Sequence, residues 1–250
     1  MKKLKPALLF TLPLLAVGAV AGYFTILYQL EFLDAATVEQ AISQLGSIGA
    51  LIAVYIVQTV GYTAFCGFVG HILANQLGLM RPLGITRRPL MITLAISVAG
   101  GVVLSLDYWT FGAWIPGLRE ATDLTLSIPV VMASVLYGGV VEELMLRLFM
   151  MSLIAWLLWK LLFRKYETAP VGVIVAANVL SAMLFAAGHL PAAAMLFGTL
   201  TPLIVLRCFL LNGGLGLLFG WLYRKFGIQY AMVSHGLAHI VSKLIWALFV

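Results

Sequence analysis

The sequence predicts an all-α protein, a polytopic bundle of transmembrane helices. Hydrophobic residues make up 63% of the 250 residues and charged residues only 10%, and the mean hydropathy is +1.08. Apolar runs of about 20 or more residues, enough to cross a bilayer, recur along the whole chain. These observations exclude a soluble globular class. We expect a single membrane domain over residues 1–250, because no polar linker or repeat divides the chain.

The apolar runs predict seven spans, at residues 6–28, 47–79, 90–106, 124–163, 170–190, 192–223 and 228–250. The first run follows a basic start and contains Ala19-Val20-Ala21, so a cleaved signal peptide is an alternative to an uncleaved first span. Three runs exceed a simple crossing, so one of them can contain an eighth crossing, and a half-helix or re-entrant piece can lie within 124–139 or 192–202. The expected break points are Pro129, Gly138-Gly139, Pro191 and Pro202.

The basic residues lie in short clusters between the apolar runs, so the net charge of +6 does not indicate nucleic-acid binding. The clusters at 2–5, 81–88, 160–165 and 224–225 alternate with acidic loops, which predicts a cytoplasmic N-terminus. We expect a multi-pass protein of a bacterial or archaeal cell membrane. Cys66 and Cys208 fall in apolar segments without metal or redox spacing, which indicates small buried hydrophobes.

A few ionisable residues lie inside the predicted spans. Charged groups at membrane depth are costly, so they normally face the protein interior and serve a function. They are Glu142, Glu143, Arg147, His189, Arg207, His235, His239 and Lys243. Arg207, with Asn212 on the same segment, has two open interpretations: lining the cavity, or a packing or snorkelling role.

Glu142, Glu143 and Arg147 lie in the stretch GGVVEELMLRLFMM. Glu143 and Arg147 are one helical turn apart, which predicts an ion pair on one face. Glu142 is rotated by about 100° from Glu143, so it is the less tightly paired carboxylate and the candidate for proton chemistry. The alternative is that all three residues form a structural ion network.

The histidines fall in two other spans. His189 follows Phe185 by one turn in NVLSAMLFAAGHLP, whereas His235, His239 and Lys243 form a polar stripe in MVSHGLAHIVSK. Packing is the alternative role for His189, and snorkelling toward the surface is the alternative for Lys243. At about 1.5 Å per residue, Glu142 and the three histidines all lie in the same half of the membrane, which predicts one polar intramembrane cavity.

A carboxylate and three imidazoles around one cavity suit hydrolysis in two ways. Glu142 with His189 can activate a water molecule while His235 and His239 stabilise the oxyanion. No cofactor is then required. The same four side chains, Glu142, His189, His235 and His239, also suit Zn²⁺. A proton-coupled transporter is a further alternative, but it predicts internal repeats that the sequence lacks.

Three motifs, each in an apolar helix, resemble those of the CPBP family, which includes CAAX prenyl endopeptidases and bacteriocin-processing or self-immunity proteins. They are Glu142-Glu143-x-x-x-Arg147, Phe185-x-x-x-His189 and His235-x-x-x-His239. The resemblance covers about 124–250, the motif-bearing core. It implies an intramembrane protease of eight helices, argued in the family both as metal-dependent and as glutamate-type.

The resemblance also implies roles for individual residues. Glu142 corresponds to the glutamate that activates water, His189 to its partner, and His235 to an oxyanion-stabilising residue. Glu143 and Arg147 correspond to the accompanying structural pair. His239 stands where the family usually has Asn or another small polar residue, which favours a metal in this chain. The expected partner is a membrane-bound or lipidated peptide substrate in the bilayer, and the alternative function is a non-catalytic immunity or adaptor protein.

Overall fold

The computed structural model describes residues 4–123 and 126–250, apart from the side chain of Asp123. Every regular element in these residues is helical, which confirms the predicted all-α class. The predicted basic start at Lys2 and Lys3 lies outside the described residues, as do residues 124–125 at the predicted beginning of the fourth span.

Ten helices, numbered in chain order, occupy the described part of the chain. They are α1 Leu4–Phe32, α2 Ala35–Leu45, α3 Ile48–Gln76, α4 Arg87–Ser105, α5 Leu118–Asp123, α6 Ile128–Leu162, α7 Val171–Gly188, α8 Leu190–Phe197, α9 Pro202–Phe226 and α10 Ile228–Phe249. Two short 3₁₀ turns, Leu106–Tyr108 and Phe111–Ala113, continue α4.

Seven segments among the described residues are long and apolar enough to cross a membrane. They are Leu4–Phe32, Ile48–Gln76, Arg87–Ala113, Ile128–Leu162, Val171–Phe197, Pro202–Phe226 and Ile228–Phe249. The protein is therefore an integral multi-pass membrane protein, within the predicted range of seven or eight spans.

Two predicted boundaries are wrong. The sixth span begins at Pro202 rather than near residue 192, because α8 continues the preceding span past a bend at His189. The Gly138-Gly139 pair does not break α6. The helix instead continues through both glycines with widened, π-type turns over Ser134–Glu142 and Leu144–Met151.

Three of the predicted prolines do mark helix starts. Pro129, Pro191 and Pro202 each lie in the first turn of their helix. A proline is tolerated there because the first backbone N–H groups of a helix have no intrahelical acceptor.

Helix α6 lies inside the bundle and packs against α1, α3, α7 and α10. Glycines permit the closest approaches. A Cβ on Gly139 would lie 2.9 Å from the Cα of Gly236 on α10, and one on Gly70 of α3 would lie 2.9 Å from the carbonyl carbon of Leu148. Because the helices on either side of α6 approach it at backbone distance, side chains on these faces of α6, Glu143 and Arg147 among them, are buried in protein.

Arg207 forms an ion pair that ties the end of α4 to α9. Its Nε lies 2.9 Å from Oδ1 and 3.0 Å from Oδ2 of Asp107, and its Nη2 lies 2.5 Å from Oδ2. Beside it, Ile115, Leu118, Ala193, Ile204 and Cys208 form a small apolar cluster. Arg207 thus has a packing role at the helix ends.

Candidate active site

Glu143 is fully buried on α6 and has two partners. Its Oε1 lies 3.2 Å from Nη1 of Arg147 and 2.8 Å from Nδ1 of His235, and its side chain is 0% exposed. The ion pair with Arg147 has the predicted one-turn spacing. The contact with His235 on α10 was not predicted, and it ties the first sequence motif to the last.

Arg147 lies between two aromatic rings. Its guanidinium carbon is 4.5 Å from the ring centre of Phe185 and 5.6 Å from that of Phe219. A Cβ on Gly216 of α9 would lie 2.9 Å from Nη2, so the glycine leaves room for the guanidinium. The aromatic faces help to stabilise a cation removed from water, and Arg147 in turn fixes Glu143.

His235 lies between the two carboxylates of α6. Its Nδ1 contacts Glu143, and its Nε2 lies 4.0 Å from Oε2 of Glu142. The ring stacks on Phe219 at 4.7 Å on one side and on His239 at 5.1 Å on the other. The imidazole is therefore held both by a hydrogen bond and by its ring faces, which fixes the direction in which Nε2 points.

The Nε2 atoms of both imidazoles on α10 converge beside Gly138. A Cβ built on that glycine would lie 3.4 Å from Nε2 of His239 and 3.5 Å from Nε2 of His235. The glycine therefore keeps open the space in front of two potential N–H donors.

A small cavity of about 20 Å³ adjoins the two histidines, and such a volume holds about one water molecule. It is lined by Leu104, Phe185, Asn212, Leu215, Phe219, His235 and His239. The sequence predicted one polar cavity containing Glu142, His189, His235 and His239, and left open whether Asn212 lines it. The residues that line this cavity include His235 and His239 but neither Glu142 nor His189. The structure places Asn212 in the lining.

Glu142 has a different environment from Glu143. Its side chain is 19% exposed, and Tyr137 of α6 and Tyr28 of α1 lie within electrostatic range of it. No ion pair joins Glu142 to a lysine or arginine among the described residues. It is therefore the more accessible of the two carboxylates and the one with fewer fixed partners.

His189 lies at the end of α7, at the edge of this cluster. Its Nδ1 is 2.8 Å from the carbonyl oxygen of Phe185, and its ring packs against the Phe185 ring at 4.7 Å. A neutral imidazole that donates Nδ1–H to this carbonyl keeps Nε2 as a free acceptor. No hydrogen bond or ion pair joins His189 to Glu142 within the described chain, although His189 lies within electrostatic range of His239.

The zinc hypothesis requires Glu142, His189, His235 and His239 to converge on one point, at about 2.0–2.2 Å from the ion. In residues 4–123 and 126–250, no three His, Cys, Asp or Glu side chains are arranged to hold a metal ion. Because Nδ1 of His235 contacts Glu143, only Nε2 of this ring could reach an ion. The side chains as placed do not fit a zinc ion, and no step below passes through one.

Residues 124–241 match the family model for type II CAAX prenyl endopeptidases, Rce1-like. The match covers just under half of the 250 residues. The match confirms the resemblance drawn from the motifs and supports, broadly, a CAAX-type intramembrane protease. The matched region includes Glu142, His189, His235 and His239, whereas α1, α3 and α4 precede it. No curated protein and no solved structure matches the chain.

The contacts around Arg147 could be predicted from the sequence only in part. The spacing Gly216-x-x-x-Gly220 predicts that another helix approaches α9 closely. That helix is α7, since a Cβ on Gly216 would lie 3.2 Å from Cβ of Ala182 and one on Gly220 would overlap the Asn178 amide. The spacing indicated the close approach but not its partner, nor that Gly216 also makes room for Arg147.

Proposed function

We propose that the protein is an intramembrane endopeptidase that hydrolyses a peptide bond of a membrane-associated or lipid-anchored protein. One observation carries the proposal: His235 lies between Glu143 and the accessible Glu142, beside a cavity sized for one water molecule. The Rce1-like match supports a prenylated C-terminal CAAX segment as the substrate class.

In this proposal Glu142 is the general base. It removes a proton from water, and the resulting hydroxide attacks the carbonyl carbon of the scissile bond. Glu142 suits the role because it is partly accessible and pairs with no lysine or arginine among the described residues, whereas Arg147 and His235 occupy Glu143. The proton that Glu142 receives then passes to the leaving amine, which breaks the carbon–nitrogen bond.

The imidazoles of α10 stabilise the oxyanion that forms during the attack. Both Nε2 atoms point to the space beside Gly138, where two N–H donors can reach one oxygen. If His235 donates Nδ1–H to Glu143, it must carry a second proton on Nε2 to donate to the oxyanion as well. His239 supplies the other donor from its stacked position.

His189 assists Glu142 through the water or the substrate rather than by direct contact. The Phe185 carbonyl orients the ring, which leaves Nε2 free to accept a hydrogen bond. His189→Ala should therefore lower the rate of cleavage by less than loss of the base does.

The test uses purified protein and a lipidated CAAX peptide. Glu142→Gln should lower kcat/KM by about 10²- to 10⁴-fold, the contribution of a general base, with expression and melting temperature unchanged. Glu167→Gln is the matched control, because Glu167 is an exposed carboxylate on the 163–170 loop. Unchanged cleavage by Glu142→Gln removes the assignment. Full biological activity in both Glu142→Gln and His189→Ala supports the non-catalytic alternative.

The glutamate and zinc mechanisms are separated by metal analysis combined with a chelator assay. The metal-free mechanism predicts full cleavage in the presence of chelator by protein without stoichiometric metal. Loss of cleavage that added Zn²⁺ restores would contradict it.

A further inference from the structure

Lys243 is a buried cation that the mechanism above does not use. It lies one turn beyond His239 on α10 and is only 7% exposed. Arg147 and Arg207, two cations that the sequence also placed deep in the spans, pair with Glu143 and Asp107. Lys243 has no such partner in the described part of the chain. An unpaired charge at membrane depth is costly, so it calls for a function.

The side chain faces the bundle rather than the lipid. Its neighbour Leu244 is 57% exposed and Leu248 is 75% exposed, whereas His235, on the same face as Lys243, is 4% exposed. Lys243 also lies within electrostatic range of His239. The burial of Lys243 argues against snorkelling to the surface and puts the residue on the same inward face of α10 as His235 and His239.

The distance from His235 to Lys243 along α10 matches the length of three extended residues at the C-terminus of a peptide. His235 and Lys243 are two repeats of the stripe apart, or about 12 Å at 1.5 Å per residue. A CAAX segment has three residues after its cysteine. Extended, these residues span about 10–11 Å, so a bond cleaved next to the cysteine lies at that distance from the chain end.

We propose that Lys243 binds the terminal α-carboxylate of the substrate and thereby sets which bond reaches Glu142. This inference rests on the proposed endopeptidase function. The carboxylate supplies the anion that Lys243 lacks within the chain, and the ion pair lowers the cost of both charges at this depth. After cleavage the same carboxylate leaves with the released fragment, so Lys243 is a substrate-binding residue and not a catalytic one.

The experiment compares two lipidated peptides of one sequence, one ending in a free carboxylate and one in a carboxamide. Wild-type protein should cleave the free acid with a kcat/KM about 10- to 100-fold higher, because the amide leaves the ammonium without its anion. Lys243→Met should remove this preference and Lys243→Arg should keep most of it. Lys160→Met is the control, since Lys160 lies on an exposed position at the other end of the bundle, and it should keep the full preference.

A peptide lengthened by two residues provides a second measurement that needs no variant. The extension moves the carboxylate by about 7 Å, so wild-type protein should cleave it as poorly as it cleaves the amide. This comparison still tests the inference if Lys243→Met does not fold.

The outcomes distinguish a failure of the endopeptidase function from a failure of the role proposed for Lys243. If wild-type protein cleaves neither peptide under any condition, the endopeptidase function itself fails. If it cleaves acid, amide and lengthened peptide equally, or if Lys243→Met keeps the preference, the function stands and the role of Lys243 is overturned. A rate that follows the content of anionic lipid in the liposomes, and not the peptide terminus, would assign Lys243 to a lipid phosphate and would likewise overturn it.

Discussion

Glu142 and Glu143 are adjacent on α6, yet they lie in two different regions of the molecule. Glu143 is 0% exposed and is fixed by Arg147 and His235, whereas Glu142 is 19% exposed and has Tyr28 and Tyr137 within electrostatic range. A rotation of about 100° per residue is enough to place neighbouring side chains in separate environments. One helix can thus present a fixed carboxylate to the core and an accessible one to a substrate.

The buried contacts of Glu143 with Arg147 and His235 are not arranged for maximal stability. Oε2 of Glu143 and both Nη atoms of Arg147 are buried without a hydrogen bond in the described chain. Asp107 and Arg207, by contrast, form a two-pronged contact near the helix ends. A buried ion pair often adds little net stability, so we interpret Glu143 and Arg147 as holding His235 in position.

The largest expected effect on stability comes from neutralising the fixed carboxylate. Glu143→Gln leaves Arg147 buried without a counter-charge, which should lower the free energy of unfolding by about 3–5 kcal/mol. Glu142→Gln removes no such pair and should change it by less than about 1 kcal/mol. Unfolding of both variants and the wild type in the same detergent measures the difference. Equal destabilisation by the two substitutions would show that Glu142 and Glu143 do not differ in their contribution to stability.

Long-range contacts could not be predicted from the sequence, although the spans could. The spans follow from apolar length alone, and the deep ionisable residues stand out because so few occur. The Glu143–His235 contact joins residues 92 positions apart, and no spacing within one helix reveals such a pair. The prediction that Glu142 acts together with His189 likewise rested on their similar depth in the membrane. Similar depth does not determine whether two side chains are in contact.

The course of the backbone at Gly138-Gly139 was mispredicted for a related reason. Two glycines inside an apolar run predict a break when the helix is considered alone. In the folded chain, Gly139 packs against Gly236 and Gly138 borders two imidazoles. Here the glycines provide space for neighbours that lie far away in the sequence, so tertiary packing decides the outcome.

Alanine substitutions at these two glycines should have different effects of intermediate size. Gly139→Ala should lower stability, whereas Gly138→Ala should lower cleavage. Gly139→Ala places a Cβ 2.9 Å from Cα and 3.1 Å from N of Gly236. These are backbone atoms, so α6 and α10 must separate, at a cost of about 1–3 kcal/mol. Gly138→Ala makes ordinary contacts at 3.4 and 3.5 Å with the imidazole nitrogens. It should leave stability unchanged but lower cleavage, because its methyl group fills the proposed oxyanion position.

Thermal unfolding and peptide cleavage of both alanine variants distinguish packing from chemistry. Cleavage by Gly138→Ala at the wild-type rate would contradict the placement of the oxyanion beside that residue. Wild-type stability in Gly139→Ala would show that α6 and α10 have room to adjust.

The smallest effect is expected farther along α6, where a polar contact lies away from both carboxylates. Oγ of Ser152 and the hydroxyl of Tyr223 are 2.9 Å apart and buried. Such hydrogen bonds between membrane helices contribute about 0.6 kcal/mol on average, so a double-mutant cycle of Ser152→Ala and Tyr223→Phe should give a coupling of that order. Cleavage should be unaffected, because the contact lies about 15 Å from Glu142 along the helix. A loss of cleavage as large as that of Glu142→Gln would mean that activity depends on α6 as a whole and not on the environment of one carboxylate.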